Sequence, residues 1–303
     1  MNYTHTGIVP NIIIAGAPKC GTTSLFHYLS DHPMIHPSNV KETCFLIDQD
    51  YPLFNSEKNF FKDGLEGYSQ FFSSCKDSGK FFLEATPDYL YQENPLIALK
   101  MFPHKPFVII LLRKPSARIY SLFNFAQNNM GVLDAKMTFT QFVNMIKKGE
   151  LPKERKILRN AIEHSKYHIY IDKWFQHLGR EKVNVFLFED LKKDPGKFLQ
   201  RIAGKIEIDQ NFYTKYLFTA KNQTMNIKNQ NLHKIKRILA SFMPHDNQIR
   251  FLLKKLYGKI NFKNSNQLKS EEDKETIFEL DHYFKTFNRK LMNLTDINLN
   301  TWD

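Results

Sequence analysis

A chain of 303 residues with 42% hydrophobic and 14% aromatic side chains carries ample material for a packed core, as one large domain or two small ones. Its formal net charge of +12 favours anionic partners (nucleotides, nucleic acid, acidic sugars, membrane surfaces) without choosing among them. Cys20, Cys44 and Cys75 make no even disulfide framework and lack metal-ligand spacing. With no signal-peptide pattern and no run of about 18 apolar residues, they give the expectation of a soluble, cytoplasmic, enzyme-sized unit with free thiols. A catalytic domain cut from a longer anchored chain would look the same.

Four short apolar runs read as strands in chain order: "NIIIAG" (11–16), "KFFLEA" (80–85), "FVIILLR" (107–113) and "VNVFLFED" (183–190). They are continuous where a half-exposed strand would alternate, which predicts a sheet covered on both faces and therefore mostly parallel. Helical patterns fall between and after them at 23–30, 66–74, 94–101, 115–129, 138–148, 160–178 and 195–204. Alternation of this kind predicts a three-layer α/β domain with right-handed crossovers. Past residue 205 the strand pattern stops. A Lys- and Asn-rich stretch, "KNQTMNIKNQNLHKIKRILASF", leads to two or three further helices, of which "SEEDKETIFELDHYFKTFNRKLMNL" opens on Ser270 and acidic residues suited to a helix start. The organisation expected is one domain over 1–303, with an α/β core at about 10–205 and a helical cap at about 206–303.

The first strand runs into "GAPKCGTTS" and then an apolar helix pattern. Gly16 and Gly21 keep the spacing of a nucleotide-phosphate loop, but Thr22 stands where that loop has its lysine, and Lys19 lies inside the loop instead. A strand-to-helix loop points backbone N–H groups and the positive helix end at one spot, so it can hold an anion. Thr22 and Thr23 add hydroxyls, and Ser24 is placed to cap the first turn. An ordinary strand-to-helix turn is the plainer alternative. Nucleoside-triphosphate hydrolases pair the loop lysine with magnesium held by a partner Asp; here the third strand ends in Arg113 and supplies no such Asp. A transferred group with fewer negative oxygens, such as sulfuryl, needs no metal, and one lysine facing the leaving oxygen would suffice.

The second anchor is "FVIILLRKPSARIYSLFNF" (107–125), with Arg113 at a strand's carboxyl end and Ser121 on the next helix, where open α/β sheets bind ligands. With both motifs in this order the chain resembles the sulfotransferases that use 3′-phosphoadenosine 5′-phosphosulfate (PAPS). The resemblance implies a P-loop-like site in which Lys19, Gly21, Thr22, Thr23 and Ser24 hold the 5′-phosphosulfate while Arg113 and Ser121 hold the 3′-phosphate. It continues through "HPMIHPSNVKETCFL", "FLEATPDYLY" and "VNVFLFEDLKKDP", covering about residues 10–200, and is nearest to the heparan-sulfate type and its bacterial relatives. Their K-E-x-x-F-F segment supplies a catalytic glutamate, which maps to Glu42 beside Lys41. Residue chemistry alone leaves that pair as solvated surface charge; the resemblance makes Glu42 the general base and Lys19 the stabiliser of charge on the departing oxygen.

Two departures leave the acceptor class open: Ala85 replaces a lysine of the E-K-[ST]-P-x-Y segment, and Cys44 replaces a residue that is often histidine. Glu84 and Asp88 either shape the acceptor site or are structural, with Glu84 ending its strand and Thr86 capping the next turn. His27, His32, His36, His104 and His164 lie in no motif that selects them as base, and Trp174 reads as core. Glu189 and Asp190 read as helix caps, and Lys221, Asn222 and Lys228 as either a loop over the nucleotide or a solvated basic stretch. The resulting expectation is in-line, metal-free sulfuryl transfer from PAPS to a hydroxyl or amine, with adenosine 3′,5′-bisphosphate as product and an anionic glycan suiting the positive balance. A metal-dependent nucleotide kinase and a basic nucleic-acid-binding protein are the rivals; the Lys and Arg residues are too scattered for the second.

Overall fold

The computed structural model describes residues 7–72, 81–219, 225–227, 262–264 and 270–302. Its centre is a five-stranded sheet of β1 (Ile12–Gly16), β2 (Ile35–Pro37), β3 (Phe81–Ala85), β4 (Phe107–Leu112) and β5 (Val183–Leu187), in the order β2-β3-β1-β4-β5. Every pairing is parallel. Ile12, Ile13 and Ile14 of the central strand are wholly buried, as a strand covered on both faces must be. The α/β class expected from the continuous apolar runs is therefore what forms.

The principal helices are α1 (Thr22–Ser30), α2 (Pro115–Asn124), α3 (Phe139–Lys148), α4 (Tyr167–Leu178), α5 (Phe188–Lys193), α6 (Pro195–Lys205) and α7 (Glu271–Thr295). Ser270 caps α7 by accepting the Asp273 N–H at 3.1 Å, as its sequence indicated. Helix α7 lies against α2, α3 and α4, and its Leu280 and Phe284 join Phe123, Phe139 and Phe142 in a core separate from the one around the sheet.

Several boundaries differ from the sequence expectation for identifiable reasons. Strand β2 was not foreseen: it is a three-residue edge strand ending in Pro37, too short for a pattern. The run at 183–190 stops being strand at Leu187, and Phe188 opens α5. Glu189 and Asp190 thus lie in the first turn of α5 and cap nothing; Glu189 accepts the Lys114 N–H at the start of α2 (3.1 Å). The helix expected over 160–178 is broken before Tyr167. The Arg118 guanidinium donates to Ser165 Oγ and to the Ala161 carbonyl, which also accepts from Ser165 Oγ at 2.8 Å, diverting groups that a helix would use. Helix α2 ends at Asn124 and passes into a wider turn over Phe125–Met130. The tail read as strandless contains a short antiparallel pair, Met225–Ile227 with Phe262–Asn264. Cys75, Lys221, Asn222 and Lys228 lie outside the described residues.

Candidate active site

The loop between β1 and α1 is built by left-handed backbone at Lys19 (φ 70°) and Gly21 (φ 88°). The Ala17 N–H donates to the Leu111 carbonyl on β4 (2.8 Å), and the Cys20 N–H closes back on the Ala17 carbonyl (3.2 Å). Gly21 occupies the N-cap position of α1 with no side chain on the helix end. A β-carbon there would lie 2.6 Å from the Phe188 ring, so glycine is required by both conformation and space. Ser24, expected as the cap, is instead in the third helical position, where it bonds the Tyr28 hydroxyl. Thr22 is buried while Thr23 and Ser24 remain partly exposed. The first amides of a nine-residue helix therefore face outward at the carboxyl edge of the sheet.

Lys19 carries its ammonium 3.6 Å above the centre of the Phe125 ring. Arg113 leaves β4 beside it, donating to the Lys19 carbonyl (3.4 Å) and lying 5.1 Å over the Phe188 ring, while its own carbonyl accepts from the Tyr167 hydroxyl (2.9 Å). Burial pushes the Lys19 ammonium down to about 8, and the like charge of Arg113 pushes in the same direction; Glu42 opposes them. Ser121 is buried in the second turn of α2.

Glu42 and Lys41 form an ion pair, with the Lys41 side chain only 15% exposed and that of Glu42 45% exposed. This is more than a loose surface pair. The Glu42 N–H donates to the Ala85 carbonyl at the end of β3 (2.9 Å), and Glu42 and Cys44 both adopt left-handed backbone (φ 66° and 53°). The structure thus brings Lys19, Arg113, Lys41 and Glu42 into one electrostatic neighbourhood from three separate parts of the chain.

Behind this edge two carboxyl groups are buried. Glu84, pushed up to about 7 by burial, accepts from Thr43 and Thr86; Asp88, pushed up to about 6 by burial, accepts from Tyr51. Thr86 is consequently committed to Glu84 and places no side chain on the following turn. The histidines that are well ordered by contacts are structural. His32 accepts the Met34 N–H and reaches the Asp209 carbonyl (3.1 Å), His104 lies 3.2 Å from the Asn11 side chain, and His164 stacks on Tyr91 and is pushed down to about 3 by burial. His27 meets the Phe26 ring edge-on, as His36 meets that of Phe82. Trp174 is core, donating to the Leu90 carbonyl (3.2 Å). Cys20 and Cys44 are free thiols, pushed up by burial to about 11 and about 12. Phe125 and Phe188, which frame the two cations, were not singled out in the sequence because nothing local marks an aromatic as a wall of a site.

A parallel sheet whose carboxyl edge carries a glycine-bounded loop, a helix N-terminus and two adjacent cations defines an α/β protein with an edge suited to an anionic ligand. Residues 9–259 match the family described as "Sulfotransferase domain", and the chain belongs to that family. Among curated relatives, the bifunctional heparan sulfate N-deacetylase/N-sulfotransferase 1 of Caenorhabditis briggsae is 24% identical over 213 residues, 67% of this chain and 23% of the relative. The membrane-associated sulfotransferase kil1 of Dictyostelium discoideum is 34% identical over 122 residues, 39% of this chain and 23% of the relative. The chain spans about a quarter of the length of these relatives. Among solved structures, a sulfotransferase from Alicyclobacillus acidocaldarius superposes with a TM-score of 0.66 at 19% identity, over 97% of this chain and 99% of that one. A retinol dehydratase, solved with androsterone and the inactive cofactor PAP, gives 0.51 at 15% identity over 97% and 84% of the two chains. Among the described residues no helix is long and apolar enough to cross a membrane, and no group of three or more His, Cys, Asp or Glu is placed to hold a metal ion.

Proposed function

We propose that this protein transfers the sulfuryl group of PAPS to a hydroxyl or amine of an anionic glycan. The observation that carries the reading is the pairing of Lys19 with Arg113: two cations, one of them buried enough to be pushed down to about 8, are held together at a helix N-terminus. Such an arrangement is unfavourable by itself and becomes favourable when an anion lies between the charges. The PAP bound in the retinol dehydratase structure and the N-sulfotransferase names among the relatives support the nucleotide and the acceptor class.

In this reading the amides of Gly21 to Ser24 and the Lys19 ammonium hold the 5′-phosphosulfate, and Arg113 with Ser121 holds the 3′-phosphate. PAPS supplies an activated sulfuryl group. Glu42 removes the proton from the acceptor O–H or N–H as its lone pair forms the new bond to sulfur. The bond between sulfur and the phosphate oxygen breaks with its electron pair left on that oxygen, where Lys19 faces the developing charge. Lys41 pairs with the Glu42 carboxylate. The packing of α7 on α2 to α4 supports reading that helix as part of the same unit.

The test is incubation with labelled PAPS and a panel of glycan, lipid and phenolic acceptors, comparing native protein with Glu42→Gln, alongside thermal melts with adenosine 3′,5′-bisphosphate. Transfer to a glycan, its loss in the variant, and a raised melting temperature with the nucleotide are expected. Stabilisation by ATP and magnesium instead, with no response to adenosine 3′,5′-bisphosphate, would favour the kinase alternative.

A further inference from the structure

The segment carrying Glu42 is conformationally expensive. Glu42 and Cys44 flank Thr43 with positive φ at both, and non-glycine residues in that region are strained, persisting only where the surroundings over-determine them. Beyond the bond from the Glu42 N–H to the Ala85 carbonyl, what over-determines them converges on one side chain. Glu84 is wholly buried one residue before the end of β3. Its Oε1 accepts from Thr43 Oγ1 (3.0 Å) and from Thr86 Oγ1 (2.5 Å). Thr86 Oγ1 also accepts the Cys44 N–H (3.1 Å). Both sides of the segment are therefore fastened to the same carboxyl group, directly through Thr43 and by way of Thr86 through Cys44.

A second layer leans on the first. The Tyr89 hydroxyl lies 3.2 Å from Thr43 Oγ1 and accepts the Leu46 N–H (3.1 Å), with the Tyr68 hydroxyl 3.3 Å away. The other Glu84 oxygen, Oε2, is buried without a partner. An unsatisfied buried oxygen is unfavourable, so a carboxyl group kept at this position has a use beyond filling space. An apolar residue would fill it without that penalty.

We infer that Glu84 is the positioning residue for Glu42: by holding Thr43 directly and Cys44 through Thr86, it fixes the left-handed turn from which the Glu42 carboxylate is presented. The inference rests on Glu42 acting as the base. Glu84 touches neither substrate and works only through the segment it fastens. A displacement of the base of about 1 Å is enough to lower a rate about 100-fold, whereas the cation pair that grips the nucleotide hangs from other strands and is untouched.

The experiment is a double-mutant cycle on sulfuryl transfer from PAPS to N-desulfated heparin, or to whichever acceptor of the panel supports turnover, with native protein, Glu42→Gln, Glu84→Gln and the double variant. Glu84→Gln is expected to lower kcat by about 10-fold to 100-fold with KM for PAPS and affinity for adenosine 3′,5′-bisphosphate within about twofold of native, and the double variant is expected to be no slower than Glu42→Gln. Thr43→Ser, which keeps the hydroxyl, should behave as native, and Thr43→Val should reproduce the loss; this pair carries the test if Glu84→Gln does not fold. Additive losses in the double variant, native kcat in Glu84→Gln, or a loss confined to nucleotide affinity would overturn the positioning role while leaving the base in place. Native turnover in Glu42→Gln would remove the base itself, and the positioning role with it.

Discussion

Replacing Lys19 by methionine should make the protein more stable and nearly inactive. The ammonium falls from an ordinary lysine value of 10.5 to about 8 through burial and then through Arg113. Between those values the folded state binds fewer protons than the unfolded chain, so stability rises with pH across that window, and below pH 8 the charged lysine costs its full penalty. At about 1.4 kcal/mol per tenfold change this amounts to about 3 kcal/mol at neutral pH. Methionine removes the charge, adopts the same left-handed backbone at the same strain, and can set its sulfur against the Phe125 ring that the ammonium now faces at 3.6 Å. Loss of the cation–ring attraction offsets about 1 kcal/mol of the gain, leaving about 2 kcal/mol and a melting temperature higher by on the order of 5 °C. The assay is thermal unfolding of both proteins without nucleotide from pH 7 to 10.5, with transfer rates measured in parallel. The advantage of the variant should shrink as pH rises from 8 to 10.5, and its turnover should fall about 100-fold to 1000-fold. A variant that melts at or below native at pH 7, with a gap that pH does not change, would refute the idea that Lys19 is held at an electrostatic cost.

Arg113→Ala should weaken adenosine 3′,5′-bisphosphate by about 10-fold to 100-fold, the range for hydrogen bonds to charged groups, measured by calorimetric titration; Arg113→Lys should recover only part of this because the forked geometry is lost. Gly21→Ala places a β-carbon 2.6 Å from the Phe188 ring at a φ of 88°, and a loss of more than about 2 kcal/mol is expected in denaturant unfolding. Glu84 is raised from 4.5 to about 7 by burial, so the folded state holds the extra proton in that window and loses stability as pH rises through it. Chemical melts from pH 4.5 to 7.5 should show that slope in native protein and a flatter one in Glu84→Gln, with Lys41, Glu42, Cys44, Tyr68 and Tyr89 as the other titratable groups around it.

What could be read from sequence was what short-range pattern determines. Strands β1, β3, β4 and β5 were visible because burial on both faces leaves unbroken apolar runs, and the loop was visible because Gly16, Lys19 and Gly21 lie within six residues. The turn of the chain into α5 at Phe188 was not, since the run stays apolar and the residue that opens the helix packs against Gly21, far away in sequence. The break before α4 was hidden for the same reason: Arg118, more than forty residues earlier, takes the groups that would have continued the helix. Glu42 could be nominated only by resemblance. Its fastening depends on bonds between residues 43–44 and residues 84–86, a pairing with no local signature.

The sheet register is what turns these pieces into one site. Ile14 of β1 stands opposite Ala85 of β3, and Gly16 opposite Ile110 of β4. Lys19 lies five residues beyond Ile14, Arg113 three beyond Ile110, and the Glu42 N–H is bonded to the Ala85 carbonyl itself. The proposed base and the two proposed anion anchors therefore hang from three neighbouring strands whose relative heights are set by a ladder buried on both faces. The β1–β4 ladder shifts register by one residue between Ile14 and Gly16, at the edge where the loop begins; a slip of a whole strand would turn all its side chains to the opposite face, a change the core around Ile12, Ile13 and Ile14 does not permit. The strained residues at the edge, Lys19, Glu42 and Cys44, can be held there because the strands beneath them have no freedom to relax the strain. The spacing between the proposed donor and acceptor sites is in this way a property of the core.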